Sequence, residues 1–225
     1  MNKSKFASED GFSINSIDGF SNWDKLLHVD WIFKNTLGER IKCFVILDRD
    51  YYPATIINRV VLDLVQKNVK VHVWEKKEIE NYLINQEALY RMFIDKYSKR
   101  HPDSNIPLSE SEFFDKLLVI FDSLKEEVKA QIVQREVENR VDKKNNSQYT
   151  VHAQASKEFE DKWVDVEYKK KVIPGKRFFS LMNEWLNKTY NIFISIDFAI
   201  YSLKSEEIDS EIAVTIDEFT RLIGP

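Results

Sequence analysis

The stretch IKCFVILDRDY, residues 41–51, decides the fold. Its first seven residues form an almost continuous apolar run, which is typical of a strand buried on both faces of a parallel sheet. Pro53 suits the first turn of a following helix, whose apolar stripe extends to about Gln66. The run KVHVW, residues 70–74, has the composition of a second strand. These elements predict a β-α-β unit with a right-handed crossover.

Further elements are predicted on both sides of this unit. Residues 12–17 alternate between apolar and polar and predict a strand, and residues 23–37 predict a helix that stops at Gly38. Residues 78–91 are predicted to be helical. The order β-α-β-α-β-α over residues 12–92 predicts an α/β fold with an open parallel sheet.

The sequence beyond residue 100 predicts a mainly helical region. Ser109 and Glu112 have the spacing of a capping box, and the apolar residues that follow keep helical spacing to about Val141. We therefore divide the chain into an α/β unit, residues 1–100, and a helical region packed on it, residues 101–225. The other segments predicted to be helical are 158–163, 178–190, 195–203 and 208–223.

Composition and charge exclude several classes of protein. The 225 residues include 33 Lys and Arg against 37 Asp and Glu, and a net charge of −4 excludes a generally basic protein that coats DNA. The single Cys43 excludes an intrachain disulfide and a cysteine-cluster metal site. Neither Gly-rich phosphate-loop pattern occurs. No apolar run approaches the ~20 residues that cross a bilayer, and residues 1–10 are too polar for a signal peptide. We therefore expect a cytoplasmic protein with no membrane partner.

Acidic residues follow the two central strands of the predicted sheet. Asp48 and Asp50 come directly after the first of them, and side chains two apart in an extended chain share one side. Ligands of open α/β sheets bind at this carboxyl edge. Two close carboxylates repel each other without a cation, and Mg²⁺ prefers carboxylate oxygens. The alternatives for a third acidic ligand, from the second strand, are Glu75, Glu78 and Glu80.

Each of these patterns also has an ordinary structural interpretation. Asp-x-Asp at a strand end is often a turn or a helix cap, and acidic residues favour helix N-termini. The run KKKVIPGKR, residues 169–177, holds five basic residues in nine and is either a solvated charge run or a contact to phosphates. Lys176 follows Pro-Gly and precedes an apolar helix, a position from which a lysine can stabilise charge on a transferring phosphate.

The strings DRDY, residues 48–51, and EIENYL, residues 78–83, resemble those of a Toprim domain. More narrowly, they resemble the Toprim nuclease half of the OLD (overcoming lysogenization defect) family and related ATPase-associated defence nucleases. The stretch IPGK, residues 173–176, and the closing helix with Glu211 are similar to the C-terminal region of that family. The resemblance extends from about residue 12 to the end. It implies a Rossmann-like Toprim sheet with a helical C-terminal region, and cleavage of DNA that depends on Mg²⁺ or Mn²⁺.

The resemblance also implies roles for individual residues and partners. Asp48 and Asp50 match the DxD metal ligands, Glu80 matches the later acidic ligand, and Lys176 matches the catalytic lysine of the family. The implied mechanism uses two cations to activate water and to stabilise the leaving oxygen. The implied partners are DNA and an ATPase protein, and the family's assemblies imply a homodimer.

The sequence leaves two other functions open. The glutamate-bearing first strand of the family has no counterpart, because residues 12–17 match its second strand. The first alternative is therefore a catalytically degenerate Toprim-like module that binds an ATPase partner or DNA without cutting. The second is a phosphatase of the haloacid-dehalogenase kind, in which the first Asp is the nucleophile. Against it, Tyr51 and Tyr52 replace the small residues that usually follow that motif.

Overall fold

The computed structural model describes residues 6–7, 12–13, 20–28, 42–140 and 147–223. The chain divides into two units: unit 1 is Met1–Trp74 together with Ser210–Pro225, and unit 2 is Glu75–Asp209. The described residues are mostly helical, with a small parallel sheet of two strands. In this part of the chain, no helix is both long and apolar enough to cross a membrane.

Among its described residues, unit 1 contains two pairs of strands. Strand β1, Phe6–Ala7, pairs antiparallel with β2, Phe12–Ser13. Strand β3, Cys43–Leu47, pairs in parallel with β4, Val69–Val73. Helix α1, Ala54–Val65, connects β3 to β4. The β-α-β unit predicted from the sequence is therefore confirmed.

The core of unit 1 is formed by β3, β4, α1 and the 3-10 helix Phe20–His28. Alternate residues of β3 are buried, and α1 buries residues spaced three and four apart, which are the periods of a strand and of a helix. Full burial of one such side chain stabilises the fold by ~1.5–3 kcal/mol. The buried residues are Phe20, Leu26, Val45, Leu47, Ile57, Val60, Leu64 and Val69.

The secondary-structure elements described in unit 2 are all helices, joined by loops. The 3-10 helices Ile79–Leu83 and Ser205–Glu207 stand near its two ends. Its core is rich in fully buried phenylalanine, at positions 93, 113, 121, 159 and 178. The α-helices are α2, Gln86–Arg100; α3, Glu110–Ser123; α4, Lys125–Arg140; α5, Gln148–Trp163; α6, Val166–Val172; α7, Gly175–Tyr190; and α8, Ile196–Ser202.

Helix α9, Ser210–Ile223, belongs to unit 1 and packs against the parallel strands. The ring of its Phe219 lies 5.8 Å from the ring of Phe44 on β3. On β4, Nε2 of His72 lies 3.0 Å from a carboxylate oxygen of Glu211. These contacts make the end of the chain part of the small sheet unit.

The structure differs from the predicted elements in specific places. Residues 78–91 are not one helix: a 3-10 helix ends at Leu83, and α2 begins at Gln86 after a cap in which Asn85 accepts the Ala88 N–H, 3.0 Å. The segment that starts at Ser109 is divided into α3 and α4 around Leu124. The capping box that starts α3 is confirmed, with the Glu112 carboxylate accepting the Ser109 N–H at 2.8 Å.

Several predictions fall partly outside the described residues. The strand predicted at 12–17 is described only at Phe12–Ser13, where its partner is β1. The helix predicted at 23–37 is described as a 3-10 helix up to His28, and residues 29–41 lie outside the description. An α/β class is compatible with the β-α-β unit, whereas the Rossmann-like Toprim topology stays a prediction.

Candidate functional site

A tight turn follows β3 directly. The N–H of Tyr52 donates a 2.9 Å hydrogen bond to the carbonyl oxygen of Arg49. The two central residues, Asp50 and Tyr51, have φ values of 44° and 62°, as in a type I′ turn. Aspartate visits this left-handed region occasionally, but a bulky tyrosine rarely does, and such a residue costs of order 1–3 kcal/mol. Backbone strain of this kind clusters at functional sites.

This turn changes the expected relation between Asp48 and Asp50. The strand ends at Leu47, and Asp50 has a left-handed backbone, so the alternation of an extended chain does not extend to it. Both aspartates are half-buried. They lie at the carboxyl end of a parallel strand, which is the end where ligands of α/β sheets bind.

Packing holds the turn on the core of unit 1. The ring of Tyr52 stacks on the ring of Phe20, with centroids 4.3 Å apart and planes at 25°. Phe20 itself is almost fully buried. The N–H of Trp74 donates to the carbonyl oxygen of Leu47 at 3.0 Å, which joins the ends of β3 and β4. The acidic turn is therefore anchored to the packed core of unit 1.

In unit 2, a buried asparagine connects the 3-10 helix Ile79–Leu83 to a distant segment of the chain. The side-chain amide of Asn81 donates to the carbonyl oxygens of Lys170 and Ile173, each at 2.8 Å. Its Oδ1 accepts the N–H of Glu78 at 3.1 Å. These bonds join the 3-10 helix to the segment that leads into α7. The sequence around Asn81 gives no sign of this role, because Lys170 and Ile173 lie about ninety residues away.

Gly175 allows the start of α7 to lie against the 3-10 helix. A Cβ at this position would be 2.9 Å from Oδ1 of Asn81 and 2.9 Å from Cβ of Glu80. Only glycine fits this close approach without displacing a neighbour. The sequence Pro174-Gly175-Lys176 thereby places a lysine beside Glu80.

Glu80 and Lys176 form an ion pair inside unit 2. Oε1 of Glu80 lies 3.6 Å from Nζ of Lys176, and the Glu80 side chain is 12% exposed against 65% for Lys176. Oε2 of Glu80 is buried and has no hydrogen-bond partner among the described residues. The backbone N–H of Lys176 donates to Oε2 of Glu78 at 3.2 Å. The structure thus brings together the acid and the lysine that the family resemblance singles out.

The first three lysines of the basic run, by contrast, are neutralised within unit 2. Lys169 is 9% exposed and shares its partner oxygen with the indole N–H of Trp163. These pairs favour the structural interpretation of this part of the run, while Arg177 is exposed. The ion pairs are Lys169–Asp122 at 2.7 Å, Lys170–Glu167 at 2.7 Å and Lys171–Glu75 at 3.1 Å.

The donor chemistry of the acidic residues fits a divalent cation. Carboxylates are the ligands that Mg²⁺ prefers, and one buried oxygen of Glu80 has no hydrogen bond within the described part of the chain. Within the ranges that the structure describes, no three His, Cys, Asp or Glu side chains form a group that could hold an ion. Asp48 and Asp50 belong to unit 1 and Glu80 belongs to unit 2, so the three-ligand site stays a prediction.

Comparison with family models, curated proteins and solved structures gives no match for this chain. The resemblance to Toprim domains of the OLD type therefore depends on the quoted sequence strings alone.

Proposed function

We propose that this chain is a metal-dependent DNA endonuclease domain of the Toprim/OLD type. The turn at residues 48–52 carries the proposal. It combines two carboxylates with a strained backbone at the carboxyl end of a parallel strand. An internal hydrogen bond closes the turn, and aromatic stacking fixes it on the core. Strain costs stability, so a rigid acidic turn of this kind is easier to explain by a function than by folding.

Asp48 and Asp50 would hold Mg²⁺ or Mn²⁺, which when bound supplies a Lewis acid and lowers the pKa of coordinated water. The chain's own contribution is positioning. The turn keeps the two carboxylates ordered before the ligand arrives, and this reduces the reorganisation needed on binding. The exposed ammonium of Lys176 supplies positive charge for a phosphate, and Glu80 restrains that ammonium.

Nicking of supercoiled plasmid DNA in Mg²⁺ or Mn²⁺ tests the proposal. We expect the wild-type chain to cut, and Asp48→Asn and Asp50→Asn each to lower the rate by roughly 10²-fold. Asp63→Asn, on α1 of the same unit, is the matched control and should cut normally. Equal cleavage by the wild type and both turn variants would exclude the proposal.

The part played by the unit 2 pair is tested in the same assay. We expect Lys176→Met and Glu80→Gln to reduce nicking, because each removes one member of the ion pair. Lys188→Met is the control, since Lys188 is also an exposed lysine on α7. If Lys176→Met and Lys188→Met cut equally well, Lys176 has no catalytic part.

The internal pairing of Lys169, Lys170 and Lys171 favours a second candidate. Lysines already neutralised by carboxylates contribute little to phosphate binding. The second candidate is a Toprim-like module that binds an ATPase partner or DNA, alone or as a homodimer, without cutting. Metal binding with no nicking under any condition would favour it over the nuclease.

A further inference from the structure

A groove of about 520 Å³ lies on unit 2, between α7 and the segment that leads into α8. Phe179, which is almost fully buried, lies in its lining, and Lys176 lines it as well. The other lining residues that matter here are Asn183, Glu184, Phe193 and Asp197.

Phe193 is an exposed aromatic residue on a rigid support. Phe193 is 58% exposed, whereas its neighbours in the chain, Ile192 and Ile194, are 5% and 0% exposed. The buried amide of Asn183 donates to the carbonyl oxygen of Ile194 at 2.9 Å and accepts the Ile194 N–H at 2.8 Å. These two buried hydrogen bonds fix the backbone next to Phe193. The Phe193 ring is therefore held at the surface by an ordered backbone.

The charge of the groove is negative. Lys176 contributes +1, and Glu184 and Asp197 contribute −2, which leaves −1. The Lys176 ammonium is already engaged by Glu80 at 3.6 Å. Glu184 and Asp197 are exposed and form no ion pair with any residue that the structure describes. A cation would be attracted by these two carboxylates.

We propose that this groove binds an arginine or lysine side chain from a short segment of a partner protein. The cation would lie over the ring of Phe193 while the two carboxylates neutralise its charge. The chain already uses this type of contact, with Nζ of Lys96 lying 3.9 Å from the ring centre of Phe198 on α8.

Apolar residues next to the groove complete the docking surface. Ile200 and Tyr201 are 51% and 88% exposed, and they follow Asp197 at helical spacings of three and four on α8. An apolar residue beside the basic one in the partner segment would pack on them. The preferred occupant is therefore a segment that alternates basic and apolar residues. This inference needs no bound metal and no cleavage, so it stands or falls independently of the nuclease proposal.

The probe is the peptide acetyl-Leu-Arg-Leu-Arg-amide, titrated into the full ¹⁵N-labelled chain and followed by NMR. We expect saturable chemical-shift changes in the amides of residues 193–197 and of the groove face of α7. The affinity of the peptide should fall as salt is added. Affinity should fall at least about fivefold in Phe193→Ala and in the double variant Glu184→Gln, Asp197→Asn. Glu206→Gln, an exposed acid outside the groove lining, should bind like the wild type.

Three outcomes would overturn the proposal. The first is the absence of saturable shifts with the arginine peptide. The second is equal shifts with acetyl-Leu-Glu-Leu-Glu-amide, and the third is movement of the same amides only with a thymidine 15-mer. Phe193→Leu keeps an apolar side chain but removes the ring. If Phe193→Ala lowers the melting temperature, the peptide affinity of the folded Phe193→Leu variant is the deciding measurement. A Phe193→Leu protein that binds the peptide as tightly as the wild type would contradict the proposal.

Discussion

Glu80 and Lys176 form an ion pair through Oε1 of the glutamate. Oε1 lies 3.6 Å from Nζ of Lys176, while Oε2 is buried and forms no hydrogen bond with any residue that the structure describes. The Glu80 side chain is only 12% exposed, so the negative charge of its carboxylate is compensated by neighbouring groups of the protein rather than by water. This arrangement exists because Gly175 lets α7 begin against the 3-10 helix that carries Glu80.

Replacing Gly175 with alanine should therefore destabilise the protein. Alanine is the better helix former by about 1 kcal/mol, but its Cβ would meet Asn81 and Glu80 at 2.9 Å. Overpacking of a fixed contact costs about 1–3 kcal/mol, so we expect a net loss of stability in urea unfolding. Ser180→Ala, on the exposed side of the same helix, should be neutral or slightly stabilising. A Gly175→Ala protein as stable as Ser180→Ala would show that the contact is not rigid.

The strained turn after β3 predicts an inversion of the usual order of glycine and alanine. At Asp50, where φ is 44°, glycine avoids the cost of about 1–2 kcal/mol that a Cβ carries in the left-handed region. We therefore expect Asp50→Gly to be more stable than Asp50→Ala in thermal unfolding.

The control for this inversion is the exposed helical residue Asp115 on α3. At this position Asp115→Ala should be more stable than Asp115→Gly by about 0.5–1 kcal/mol. The same order at both positions would show that Asp50 does not keep its left-handed backbone.

The pH dependence of stability should show the pairing of Lys169 with Asp122. Partial burial acts to raise the pKa of Asp122, but the hydrogen bonds from Lys169 and Trp163 and the nearby lysine charges outweigh it, so the pKa lies below its ordinary value. A carboxyl with a lowered folded-state pKa stabilises the fold at pH above its unfolded value, and this contribution disappears as the pH falls through the folded pKa.

Asp122→Asn should therefore lose less stability than the wild type when the pH is lowered from 6 towards 2. Because the Asp122 side chain is 55% exposed, the difference should be below about 1 kcal/mol. Urea unfolding at a series of pH values measures it, with Asp103→Asn as the control for the loss of an exposed carboxylate. Parallel acid-side curves for wild type and Asp122→Asn would contradict the assigned role of the pair.

Local patterns in the sequence were sufficient for the central β-α-β unit. The strand predicted at 41–47 is observed as Cys43–Leu47, and the strand predicted at 70–74 is observed as Val69–Val73. Between them, α1 buries one apolar stripe. Apolar periodicity determines these elements because each one buries a single continuous face.

Features that depend on distant partners could not be predicted in this way. The 3-10 helix within residues 78–91 is tied down by the buried Asn81, which donates to carbonyl oxygens 89 and 92 residues away. The left-handed Asp50 and Tyr51 have no signal in the sequence, because no glycine marks the turn. Likewise, Lys169 and Lys171 gave no local sign of their acidic partners Asp122 and Glu75, which lie on other segments.

Binding of Mn²⁺ by the full chain, measured from the EPR signal of the unbound ion, tests the central claim most directly. The account predicts saturable binding by the wild type and a loss of at least about tenfold in affinity in Asp48→Asn and in Asp50→Asn. The control Asp63→Asn should bind as the wild type does. The same Mn²⁺ affinity in the wild type and in both turn variants would contradict the account, because the acidic turn would then not be the site of the cation.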